Sequence, residues 1–194
     1  LGFALDRYDD AYQFLSKKGY SQKEMLDAGV IRQRDGRVYD FFRNRAIFPI
    51  QSHFGDVIAF GGRVMDDSNP KYLNSGETYL FNKRYHLYAL NQVKKQRNLS
   101  NIILMEGYMD VVALAGIGVK NAVASLGTAL TKEQAKLIKK FVNTVYLCYD
   151  GDDAGQNASD RAIPILQAEG LTVLVIEMPD GMDPDDYAKA YGPE

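Results

Sequence analysis

The sequence has 194 residues, of which 46% are hydrophobic and 25% charged. That mix excludes a disordered or disulfide-held chain and allows one domain, or two modest ones, around a proper core. The net charge of −2 is unevenly spread: residues 1–100 carry 16 Lys and Arg against 11 Asp and Glu, whereas residues 101–194 carry 7 against 14. A basic half joined to an acidic half suggests one anion-binding face and one cation-binding face, with uneven solvated surface as the plainer alternative. The lone cysteine, Cys148 in "VYLCY", leaves no internal disulfide and no zinc ribbon, and points to a reducing, cytoplasmic setting. No apolar run approaches the roughly 20 residues that span a bilayer, so no membrane partner is expected. The start, "LGFALDRYDD", has neither an initiator Met nor a signal pattern, and the chain reads as a fragment.

The first 30 residues read as helices. Asp9 or Asp10 caps one through about Lys18. "SQKE", Ser21 to Glu24, is a capping box for a second, which Gly29 ends. "VIRQRDGRVYDFF" reads as two strands around an Asp35-Gly36 turn, and "AIFPI" and "DVIAFGGRVM" as two more around "SHFGD". "DDSNPKYLNSGET" lacks periodicity and reads as loop, and Tyr85 to about Asn98 as a helix with Leu87, Leu90 and Val93 on one face. Residues 1–98 therefore form a mixed α+β unit.

From residue 99 the pattern is strand and helix in alternation. "NIILM", "VKNAVA", "TVYLCY" and "LTVLVIEM" are short apolar strands. Helices follow them through Ala115, over "TKEQAKLIKKF", from Asp153 to about Ala168 with a kink or break at Pro164, and over "DPDDYAKAY". Such alternation predicts an α/β unit over 99–194, a parallel sheet covered by helices on both faces.

The acids fall at the ends of those strands. Glu106 follows the first, Asp150 and Asp152 follow the third, and Asp183 and Asp185 follow the fourth. In a parallel sheet these ends share one edge, where ligands bind. Five acids on one rim repel, and hard oxygen ligands suit Mg²⁺ or Mn²⁺. An EF-hand reading from Asp150 fails, because position five is Ala154 and position twelve is Arg161. A solvated Asp-Gly turn explains one Asp-x-Asp, but not that motif together with Glu106-Gly107 and Asp183-Pro184-Asp185. Asp110 reads as a helix cap or an acid behind the ligands rather than a ligand.

"ILMEGYMDVVAL" with "CYDGDDAGQ" resembles the TOPRIM domain, shared by bacterial primases, topoisomerases and some nucleases and recombination proteins. Glu106, Asp150 and Asp152 match its signature Glu and Asp-x-Asp. "FRNRAIFPI", "IAFGGRVM", "PKYLNSGET" and "LFNKRYHLYAL" look like the N-terminal subdomain of the bacterial DnaG-type replicative primase catalytic core. "EGYMDVVAL", "ASLGTALT" and "PDGMDPDDY" look like its TOPRIM subdomain. Phe41 and Ala46 depart locally from the family's usual residues. The family's zinc ribbon, following helical subdomain and helicase-binding domain have no counterpart in this sequence.

The resemblance implies RNA primer synthesis on single-stranded DNA from ribonucleoside triphosphates, with two or more Mg²⁺ or Mn²⁺ ions and no zinc. Glu106 is then a metal ligand or the proton acceptor. Arg43, Arg45, Arg63, Lys71 and Lys83 lie in or beside turns, where they can meet phosphates, with Asn44 between the first two, while Tyr72 can stack on a base and Asn74 can bond to a sugar or base edge. The resemblance implies that "GGR", "PKYLN" and "FNK" line the template–primer groove and help hold the incoming nucleotide. A replicative helicase would bind through a domain not present here, in the bacterial cytoplasm. Another TOPRIM enzyme, a topoisomerase or nuclease, and a non-catalytic binding module of this shape are the alternatives.

Overall fold

The computed structural model describes residues 1–179 and 182–192, so Asp180 and Gly181 of the "PDGMDPDDY" stretch lie outside the described residues. Packing divides the chain into two units, residues 1–51 with 57–82, and residues 52–56 with 83–192.

The first unit is built on an antiparallel sheet of β1 (Gly2–Ala4), β4 (Arg45–Gln51), β5 (Val57–Val64) and β6 (Tyr72–Asn74), in spatial order β1-β4-β5-β6. The strands β2 (Ile31–Arg34) and β3 (Arg37–Asp40) form a separate hairpin. Its two-residue turn puts both Asp35 (φ 49°) and Gly36 (φ 76°) in the left-handed region that matches strand twist. Helices α1 (Asp10–Lys17) and α2 (Gln22–Asp27) complete the unit. The Ser21–Glu24 capping box forms as the sequence requires. The strands β1 and β6 replace an expected helical start and an expected loop. Each is three residues long, too short to show a period of two, and each gains its form only by pairing with a longer neighbour.

Helix α1 is capped from a distance. Asp9 makes no side-chain cap bond. Instead the buried Asp40 carboxylate accepts from the backbone N–H groups of Ala11 (2.6 Å) and Tyr12 (3.0 Å), tying β3 to the start of α1. Asp40→Ala is expected to lower unfolding stability by about 2 kcal/mol, since it removes a cap and strands two donors. Asp40→Asn should lose less, because it keeps an acceptor. Urea unfolding of the two variants checks the order, and equal losses would argue against the cap.

The second unit holds a four-stranded sheet in order β10-β9-β7-β8, with every pair parallel. Its strands are β7 (Asn101–Met105), β8 (Ala122–Ala124), β9 (Thr144–Leu147) and β10 (Thr172–Val175). Helices α5 (Lys132–Lys139) and α6 (Asp153–Ala168) pack on one face, over a core that includes Ile102, Leu104, Val145, Leu147, Ile138 and Leu166. Helices α4 (Tyr108–Gly116) and α7 (Pro184–Tyr191) contact each other on the opposite face, where Met105, Val111 and Ala124 are buried. The expected cover is incomplete: on the edge strand β10, Leu174 and Val175 are exposed among the described residues.

The expected helix over Tyr85–Asn98 is not continuous. A 3-10 turn (Lys83–Tyr85) leads to an extended bridge between Tyr88 and Ala124, then Ala89 turns left-handed (φ 64°), and α3 (Leu90–Val93) is a single turn. Leu87, Leu90 and Val93 are all buried in the core of the second unit, which this irregular path achieves as well as a helix would. That burial also places residues 83–98 with the second unit rather than the first. Buried Gln134 secures the segment, donating to the carbonyls of Lys83 (3.0 Å) and His86 (2.9 Å). Pro164 does not break α6. It lies on the exposed side, so the carbonyl it leaves unbonded at Asp160 meets solvent while Ala162 and Leu166 hold the core.

Candidate active site

The parallel order brings β7 and β9 side by side, so the residues that follow them share one edge of the sheet. Glu106 stands immediately after β7, and its backbone carbonyl accepts from the buried Ser125 hydroxyl (3.2 Å) beyond β8. Its Oε1 is buried and has no hydrogen-bond partner. Burial raises the Glu106 pKa, and the neighbouring Asp150 and Asp152 charges raise it further, against a hydrogen bond from the Asp150 backbone. Burial and the charges of Asp183 and Asp152 likewise push Asp150 up.

Two glycines fix this loop. A Cβ on Gly151 would stand 2.6 Å from the Pro179 carbonyl oxygen, and the Gly151 N–H donates to the Met182 carbonyl (3.2 Å). The loop after β9 is thereby joined to the one after β10. Buried Gly155, in the first turn of α6, is so close to the Asp150 backbone that a Cβ would collide with its carbonyl oxygen. The sequence reading gave neither glycine this role, because such an approach depends on how α6 seats against the strand end.

Asp152 and Asp183 have a structural task that the sequence reading missed. Asp152 Oδ1 caps α6 through the Gly155 N–H (2.8 Å), and Asp183 Oδ1 caps α7 through the Asp186 N–H (2.7 Å). Asp185 pairs with Lys189 (2.6 Å), one turn along α7. With oxygens turned to these partners, no group of three His, Cys, Asp or Glu side chains among the described residues is drawn into a closed ion-binding set. The charges of Asp152 and Asp183 reach Asp150, and that of Asp185 reaches Asp110, but the acids are not assembled as a cage.

Asp110 is the acid most affected. Its Oδ2 accepts from the Gly107 N–H (3.2 Å), the expected cap. It is nonetheless buried, and burial followed by the charges of Asp150 and Asp183 pushes its pKa up to about 7. A carboxylate raised in the fold binds protons more tightly there than in the unfolded chain, so its favourable contribution is complete below about pH 4 and lost as pH rises towards 7. Glu106, Asp110 and Asp150 all act in this direction. In EDTA, thermal stability should therefore fall between pH 5 and 7 more steeply in the wild type than in Asp110→Asn, and Mg²⁺ should restore more of it at pH 7 than at pH 5. Parallel melting curves of the two proteins across that range would refute the assignment.

A cavity of about 600 Å³ opens beside Glu106 on the α5 and α6 face. Ser125, Thr128, Tyr149 and Arg161 line it along with alanine and leucine side chains.

The nucleotide-contact candidates of the first unit are sorted by strand register. Arg63 pairs across the sheet with Tyr72 and Ala46, and Gly61 pairs with Asn74. Arg63, Tyr72 and Asn74 therefore share one face, on which the buried Phe48 also lies, opposite Gly61. Arg63 Nε is buried without a hydrogen-bond partner, and Arg63 and Lys71 line a cavity of about 590 Å³. Lys71 lies over the Tyr72 ring (5.7 Å). Arg43 is exposed and stacks on Tyr8 (4.6 Å), and Asn44 donates to Asp66 (2.9 Å) from a left-handed turn. Arg45 differs. It pairs with Val64 on the other face and is buried, where its guanidinium reaches the Lys71 carbonyl (3.5 Å), so it is not the turn-borne cation the sequence suggested. Lys83 begins the 3-10 turn of the second unit.

Two family models match: the DNA primase catalytic core N-terminal domain over residues 1–94, and the Toprim-like domain over residues 103–188. The E. coli primase catalytic core aligns over 98% of this chain and 63% of its own, with a TM-score of 0.91 and 40% identity. The chain belongs to the bacterial DnaG-type DNA primase family. Among primases, that of Clostridium acetobutylicum is 49% identical over 194 residues, all of this chain and 33% of its own length. The chain thus spans about a third of the curated primases it matches. A DnaG primase catalytic domain solved bound to single-stranded DNA aligns over 98% of this chain and 63% of its own, with a TM-score of 0.90 and 40% identity.

Proposed function

We propose that this chain carries the polymerase chemistry of a primase, joining ribonucleotides on a single-stranded DNA template. The observation that carries the reading is the convergence of Glu106, Asp150 and Asp152 at the ends of two adjacent parallel strands, each held by its own backbone device. The similarity to bacterial primases, one of them a catalytic domain solved bound to single-stranded DNA, supports it.

The residues fit divalent cations by chemistry. All five acids offer hard oxygens, and the unpartnered Glu106 Oε1 is a buried acceptor in want of a positive partner. Glu106, Asp150, Asp152, Asp183 and Asp185 would hold Mg²⁺ or Mn²⁺, which when bound lowers the pKa of the attacking hydroxyl and neutralises charge on the departing pyrophosphate. In the reaction the 3′-hydroxyl oxygen bonds to the α-phosphorus of the next ribonucleotide as pyrophosphate leaves. Glu106, raised by burial, is suited to take the hydroxyl proton at Oε1 if it is not itself a ligand.

Arg43, Asn44, Arg63, Lys71, Tyr72, Asn74 and Lys83 would hold template, primer and incoming triphosphate, the cations through phosphates and Tyr72 by stacking. Arg45 serves the fold. A replicative helicase would bind outside this chain, and the setting is the bacterial cytoplasm. No described helix is long and apolar enough to cross a membrane.

The test is incubation with single-stranded template, ribonucleotides and Mg²⁺ or Mn²⁺. A ribonucleotide-dependent product is expected, and a covalent protein–DNA adduct would instead favour a topoisomerase. In the same assay series, Arg63→Ala or Lys83→Ala should weaken single-strand binding and reduce its salt slope by roughly 0.7 for each lost phosphate contact. A wild-type slope in both variants would rule out those contacts.

A further inference from the structure

The acid edge of the second unit has a counterpart. The Ser52–Asp56 turn packs with this unit. At its tip the His53 and Phe54 rings lie 3.9 Å apart, and Phe54 is 76% exposed. Lys94, just after α3, places its ammonium 5.4 Å from the centre of the Phe54 ring. Burial first, and then the charges of Lys94 and Lys140, lower the His53 pKa, so both ammonium groups are within electrostatic reach of the imidazole.

These lysines mark the ends of α3 and α5 that lead into β7 and β9, the end of the sheet away from Glu106 and Asp150. Lys95 and Arg97 follow in the same connection, and the Gln96 side chain bonds to the Lys120 carbonyl (2.6 Å) just ahead of β8. Among the described residues none of these cations has a carboxylate within 4 Å, whereas Lys132, Lys189 and Arg84 of the same unit do. The nearest acid along the turn, Asp56, accepts from the Ser52 hydroxyl. The topology has therefore gathered unpaired cations around an exposed aromatic pair, about 17 Å along the strands from the acids.

A solvated lysine surface has no need of a bare phenylalanine. An acidic peptide would use the cations but not an exposed ring set against a second ring, the two planes inclined at 39°. Single-stranded nucleic acid uses both, a base on the ring and phosphates on the flanking ammonium groups. We infer that Phe54, His53, Lys94 and Lys140 form a second contact for single-stranded nucleic acid, separate from the acid edge. The inference rests on binding alone and does not require the acid edge to be catalytic.

The test measures fluorescence anisotropy of an oligothymidylate of about 20 nucleotides over a range of salt, in EDTA so that no turnover intervenes. Lys94→Glu with Lys140→Glu should lower the salt slope by about 1.4, twice the single-strand coefficient per phosphate. Phe54→Ala should weaken binding roughly fivefold with the slope unchanged, the mark of a stacking contact. Circular dichroism melts establish that each variant is folded, and Phe54→Leu, which keeps an apolar surface without a ring, should behave as Phe54→Ala. Wild-type affinity and slope in these variants would overturn the inference. So would unchanged DNA binding accompanied by loss of binding to a polyglutamate peptide, which would assign the patch to an acidic protein. Failure here leaves the primer-synthesis assay untouched, so the two readings fall separately.

Discussion

Glu106→Gln is expected to cut primer synthesis by at least roughly a hundredfold while leaving the protein folded. The substitution keeps the size of the side chain, and the backbone carbonyl still receives the Ser125 hydroxyl. What goes is the negative charge, and with it both candidate roles, cation ligand and proton acceptor. Stability should move the other way. The fold already disfavours the charged form of Glu106, because it is buried and faces Asp150 and Asp152. A neutral amide relieves that repulsion, so in EDTA near pH 7 the variant should melt at or above the wild-type temperature. This pairing separates a chemical role from a structural one. Near-normal synthesis by Glu106→Gln, or loss of synthesis only through unfolding, would each remove Glu106 from the mechanism.

Gly155→Ala should be nearly as damaging by a different route. In most helices that exchange helps by up to about 1 kcal/mol. Here the added methyl would have to occupy the space of the Asp150 carbonyl, and backbone cannot rotate away as a side chain can. Either the first turn of α6 shifts, breaking the Asp152 cap, or Asp150 moves off the rim. The expected outcome is a loss of stability of about 2–4 kcal/mol, in the range of overpacked core sites, together with loss of divalent-cation stabilisation. Gly116→Ala is the control. It sits at the end of α4 with open space around its Cβ position, and should be neutral or mildly stabilising. If Gly155→Ala behaved like that control, the close approach would be of no consequence.

Much of the second unit could be read from the letters because short apolar strands alternate with helices along the chain. Thr131 with Gln134 and Ser21 with Glu24 form the bonds their spacing predicts. The order of the acids along a parallel sheet then placed them on one edge. What escaped was long-range. Asp40 caps a helix 28 residues away, and β1 and β6 exist only as partners of β4 and β5. Residues 83–98 follow the demands of a core rather than a helical period. At the site, residue type pointed to the candidate acids but not to how their oxygens are engaged. Asp152 and Asp183 looked like pure ligands, yet each also starts a helix. Arg45 looked like a turn-borne cation, yet it is buried on the face of the sheet opposite Arg63.

Those helix-starting aspartates have one more effect. A carboxylate pinned by the turn it begins has already given up its rotational freedom during folding. For a cation bound there, the protein need not freeze that motion again, and the water the ion sheds gains freedom, so the entropic cost of capture is reduced. If the edge holds a divalent cation as proposed, two of its carboxylates are therefore in place before the ion arrives.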